Sequence, residues 1–69
     1  MKNLRKKLQK TNQFSTGDLD MMDQMHKDGN IKVLKMWIAS KGTALITSRY
    51  AATLLLGHEL LTIANSLSL

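Results

Sequence analysis

A chain of 69 residues that contains no cysteine has to be held together by packing alone. A core this small rarely nets more than roughly 3–5 kcal/mol unless a disulfide, a metal or an oligomer interface adds to it. Without cysteine there is no disulfide and no thiolate metal site. The two histidines, His26 and His58, lie in different halves of the chain and have no companion ligands at metal-binding spacing. No metal and no cofactor are expected. Tight helix packing or oligomerisation remains, and oligomerisation is the expected route. Proline is also missing, and every periodic segment has the helical period, so the expected fold is all-α. It is a small domain of three to four helices with a mobile basic N-terminal arm and a long apolar C-terminal helix.

The arm follows from the charges. The net charge is +5, and the first ten residues alone carry it through Lys2, Arg5, Lys6, Lys7 and Lys10, with no acid among them. Beyond them, Lys27, Lys32, Lys35, Lys41 and Arg49 are cancelled by Asp18, Asp20, Asp23, Asp28 and Glu59. Within this basic stretch only Leu4 and Leu8 make an apolar stripe, while Lys2, Lys6 and Lys10 make another. A helix this short and self-repelling is marginal in water. Residues 1–13 are therefore expected to form a flexible arm, and residues 14–69 a single helical domain.

In that domain the spacing predicts helices over about 16–28, 31–41 and 43–66. Ser15 with Asp18 resembles a capping box, and Phe14 against Leu19 resembles a hydrophobic staple. Asp18, Asp20 and Asp23 then fall in the early turns, where the macrodipole favours negative charge. Leu19, Met22 and Met25 form the inner face, Gly29 stops the helix and Asn30 caps the next. From Ile31 to Lys41, Ile31, Leu34 and Ile38 share one face, flanked by Val33 and by Trp37 as a core residue. Gly42 reads as the stop and Thr43 as the cap of the last helix. There Leu45, Ala52, Leu56, Leu60, Ile63 and Leu67 keep one phase straight through Gly57, which predicts a continuous helix roughly 34 Å long. A compact chain of this length is about 28 Å across, so the helix would overhang. Leu54, Leu55 and Leu61 fall off its main apolar face, and both features predict a partner.

The chemistry-bearing patterns are few. Asp18-x-Asp20-x-x-Asp23 suggests a calcium loop but has Asp23 and Gly29 where an EF-hand needs Gly and Glu. No cysteine nucleophile, serine–histidine motif or glycine-rich phosphate loop is present, so an enzyme is not expected. A helix-turn-helix needs buried apolar residues six and nine positions after its turn glycine. Gly29 places Lys35 there and Gly42 places Ser48, while Gly57 leaves Glu59, Leu60, Leu61 and Thr62 to face bases; no register fits. The segment from Tyr50 to Leu69 is apolar and about one membrane thick, yet Glu59 at its centre costs about 2.5–3.5 kcal/mol on insertion, which cancels its leucines. No transmembrane segment is expected. Nor is a secretory signal, since no uncharged stretch follows Lys10. A cytoplasmic location is the expectation.

The leading functional expectation is a small non-enzymatic regulator. It binds nucleic acid through Lys2, Arg5, Lys6, Lys7 and Lys10, extended by Lys32 and Lys35, and self-associates through its C-terminal helix as a homodimer. Five engaged cations would give a log–log salt slope of about −4 to −5. The interface residues would be Arg49, Leu54, Leu55 and Leu61. Arg49, inside the apolar sector of the last helix, would either pair with Asp20 or Asp23 or anchor an acidic group of a partner. The alternative is an interaction module, an inhibitor or adaptor, that seats the leucine-rich helix in a groove of another protein. Attachment to an anionic membrane surface is a weaker third.

Overall fold

The computed structural model describes residues 2–48 and 50–67, the side chain of Lys2 excepted. These residues form four helices and no strand: α1 (Lys2–Lys10), α2 (Thr16–Lys27), α3 (Ile31–Ile46) and α4 (Ala51–Ser66). Each helix packs on the next and α4 returns to α1, so the four form a closed ring in which α1 and α3 stand at opposite corners. The α3–α4 contact is by far the most extensive. The radius of gyration is 11.4 Å, close to the value of about 11 Å expected for one domain of this length. At its centre Leu8, Met22, Leu34, Ile38 and Leu60 are fully buried, one or more from every helix. Each contributes about 1.5–3 kcal/mol of burial free energy.

The first ten residues differ from the expected loose arm. They form α1, and the reason is tertiary: Leu8 is fully buried, and Leu4 packs against the same core. Thr11, also buried, donates from Oγ1 to the Leu8 carbonyl at 2.6 Å, which closes the helix end. Asn12 then turns the chain with φ of 56°, a left-handed conformation that asparagine tolerates better than most residues. A helix that would fray alone is held by the groove it fills.

α2 is bounded by local chemistry. Ser15 Oγ accepts from the Asp18 amide at 3.1 Å, and the Asp18 carboxylate accepts from the Ser15 amide at 3.3 Å, a reciprocal capping box. At the other end Gly29, with φ of 82°, donates to the His26 carbonyl at 3.2 Å, and Asn30 donates to that of Met25 at 2.8 Å. These two bonds are the Schellman closure, in which glycine takes the left-handed position. Phe14 meets Trp37 edge to face, with ring centroids 6.3 Å apart, and this ties the start of α2 to α3.

α3 and α4 correct two expectations. Gly42 does not end α3, which continues to Ile46, and Thr43 lies inside it rather than capping the next helix. Nor does one helix run from 43 to 66: the chain breaks after Ile46 and resumes at Ala51. Thr47 turns its hydroxyl back to the Ala44 carbonyl at 2.6 Å, and the Tyr50 amide donates to Ser48 Oγ at 3.3 Å. Polar side chains thus take over backbone groups in a segment with neither glycine nor proline. Asn30 and Tyr50 stand at the N-cap positions of α3 and α4, yet neither makes a side-chain cap bond. Both helices rest on their packing.

That packing is set by Gly42 and Gly57, buried where the two helices come closest. A Cβ on Gly57 would lie 2.7 Å from the Gly42 carbonyl oxygen and 2.7 Å from Ile46 Cγ1. One on Gly42 would lie 2.9 Å from the Gly57 carbonyl oxygen. The backbones touch across this point, and any side chain would push them apart. Gly57 remains inside its helix, and the helix-propensity loss of about 1 kcal/mol per interior glycine is offset by this close approach.

Candidate nucleic-acid interface

The basic residues of α1 divide into two groups. Leu4 and Leu8 turn inward, and at 100° per residue Lys6 and Lys10 share the opposite side. Lys6, Lys7 and Lys10 are exposed and make no ion pair with any described residue. Lys7 and Lys10 occupy the last turn of α1, where positive charge also complements the helix dipole. The side chain of Lys2 lies outside the described residues.

Arg5 belongs to the second group. It points along the border of the buried stripe toward α2, where its Nη1 donates to Asp23 Oδ2 and, at 2.9 Å, to Asp20 Oδ1. Asp20 and Asp23 are three residues apart in α2 and so share a face. Hydrogen bonding to Asp23 and then to Asp20 raises the Arg5 pKa beyond its usual value, which fixes its charge. These are the two acids expected to pair with Arg49. Arg49 itself lies outside the described residues.

Lys32 and Lys35 are carried by a helix that makes no contact with α1 among the described residues. Lys32 is exposed and Lys35 half-buried, both on α3, at the corner of the ring opposite α1. The lysines of α1 are therefore a self-contained basic strip, flanked on one side by the acids of α2.

The grounds for a partner on α4 change as well. α4 has 16 residues, roughly 24 Å of helix, while the molecule extends 36 Å along its longest axis, so nothing overhangs. Leu54 and Leu61 are half-buried, and Leu61 lies toward α3, where its Cγ would be 3.2 Å from a Cβ on Gly42. The close glycine contact draws α4 in far enough to bring Leu61 against α3. Leu55 alone of the three is exposed, at 72%.

Among the described residues, no three His, Asp or Glu side chains converge as metal ligands would, no pocket is found, and no helix is long and apolar enough to cross a membrane. What α1 offers is charge on a rigid support. The split between Arg5 and the lysines has a faint sequence signal: Arg5 is adjacent to Leu4, at the edge of the apolar stripe, and is the one arginine among the early lysines. No family model, curated protein or solved structure matches this chain.

Proposed function

We propose that the protein binds nucleic acid through the outer face of α1, by contacts to phosphate. The observation that carries this reading is the exposure of Lys6, Lys7 and Lys10 on one helix, unpaired among the described residues, in a chain whose whole net charge originates there. Lysine is a strongly hydrated point charge, suited to phosphate oxygens and poor at discriminating bases. Binding is accordingly sequence-tolerant and electrostatic. The fold carries α1 as a docked helix, so its charges are presented together rather than strung along a loose chain.

The test is a salt series of fluorescence anisotropy with a generic labelled DNA duplex. Each engaged phosphate contributes about −0.9 to the log–log slope. Three lysines give a slope of about −2.7, and Lys2 as a fourth gives about −3.6. This is shallower than five free cations would give, because Arg5 is held by carboxylates. Absence of binding at low salt, or binding indifferent to salt, overturns the reading.

A further inference from the structure

Asp20 and Asp23 differ in their bonding from the acids around them. Asp18 serves the capping box and Asp28 accepts from Gln24 at 2.9 Å, whereas Asp20 and Asp23 bond to Arg5 alone among the described residues. Arginine is the side chain best matched to phosphate, because its planar fork fits phosphate and carboxylate oxygens alike. Here that fork is already faced by two carboxylates. We infer that Asp20 and Asp23 act as a built-in competitor for phosphate: they hold Arg5 back from nucleic acid, so that docked α1 binds with its lysines only and below its full strength.

This rests on the proposed reading of α1 and adds its regulation. The geometry makes the competitor exchangeable. The side chains of Asp20, Asp23 and Arg5 are 67%, 36% and 30% exposed, so water reaches the contact, and ion pairs open to water hold weakly. Two features nevertheless keep it closed. A phosphate approaching Arg5 meets two negative charges beside it. If Arg5 left, Asp20 and Asp23 would stand as unpaired like charges three residues apart on one helix face, which is unfavourable. Nothing buried is exposed by the exchange, since Leu4 and Leu8 anchor α1 independently. The competitor therefore weakens when the negative charge of Asp20 and Asp23 is removed.

The test compares four full-length proteins against the same labelled duplex over a salt series: the unaltered chain, the double variant Asp20→Asn with Asp23→Asn, Arg5→Ala, and the triple combination. Circular dichroism confirms retained helicity in each. The expected result is tighter binding by the double variant, on the order of tenfold for one added charged hydrogen-bonding contact, with a slope steeper by about 0.9. Arg5→Ala alone adds no affinity, since it frees two carboxylates beside the lysines, and in the triple variant it cancels the steepened slope of the double variant. A gain that survives in the triple variant is a general charge effect and overturns the inference while leaving the reading of α1 intact. Tighter binding by Arg5→Ala alone means that loosening α1 is what matters, and also overturns it. A salt slope shallower by about 0.9 for Arg5→Ala alone shows that Arg5 already contacts phosphate, with the same consequence. If no variant binds at low salt, both the inference and the reading fall.

Discussion

Replacing Gly57 by alanine is expected to destabilise the protein, although alanine is the better helix former. In an exposed helix interior the change would stabilise by about 1 kcal/mol. Here the new methyl would lie 2.7 Å from the Gly42 carbonyl oxygen, 2.7 Å from Ile46 Cγ1 and 3.0 Å from the Ile46 amide nitrogen. Two of these atoms are backbone and cannot rotate aside, so α3 and α4 must separate along their whole seam. Overpacking of this kind costs up to about 3 kcal/mol, and subtracting the propensity gain leaves about 2 kcal/mol of net destabilisation. At about 4–8 °C per kcal/mol for a domain of this size, Tm falls by roughly 8–16 °C. Gly42→Ala acts in the same direction and less strongly, because its closest contact is 2.9 Å and Leu61 can yield. Gly17→Ala is the control: its nearest neighbour is Ser15 Oγ at 3.8 Å, so the substitution is neutral or stabilising. The assay is thermal unfolding followed by circular dichroism at 222 nm. Equal or higher Tm for Gly57→Ala would refute the close approach and the helix packing drawn from it.

Three further outcomes are expected. Leu8→Ala costs about 3 kcal/mol in chemical denaturation, because Leu8 is fully buried; a change near zero would return residues 2–10 to the status of a loose arm. Ser15→Ala loses about 1 kcal/mol through the capping box, read as a drop in Tm, and an unchanged Tm would mean the cap is not formed. Leu55→Asp leaves Tm within about 0.5 kcal/mol equivalent of the unaltered chain, whereas Leu61→Asp lowers it sharply. If the two behave alike, the assignment of Leu61 to the α3–α4 seam is wrong.

What could be read in the sequence was what short-range chemistry decides. The start of α2 lies in Ser15 and Asp18, and its end in Gly29; each signal works through neighbours a few residues away. α1 was not legible, because it is held by Leu4 and Leu8 in a core built by the other three helices, and because the acids that engage Arg5 lie fifteen and eighteen residues on. Gly42 misled for a different reason. A glycine that ends a helix and a glycine that lets two helices touch look the same in one segment. The distinguishing signal was a pair: Gly42 and Gly57 each fall in phase with an apolar face, and only their joint presence points to close packing. The break between Ile46 and Ala51 has no glycine or proline to announce it, so an unbroken apolar phase was the natural reading. An unbroken helix over 43–66 is what makes the last helix overhang in the sequence reading. Of the candidate site, the sequence located the charge on the first ten residues. It did not reveal that one of those cations was already engaged.

The most direct test of the account replaces Lys6, Lys7 and Lys10 together by glutamine and measures both duplex binding at low salt and Tm. The three side chains are exposed and support nothing in the core. The account predicts that binding is lost, or reduced to a nearly flat salt dependence, while Tm stays within about 0.5 kcal/mol equivalent of the unaltered protein. Undiminished binding by this triple variant would contradict the placement of the nucleic-acid interface on α1.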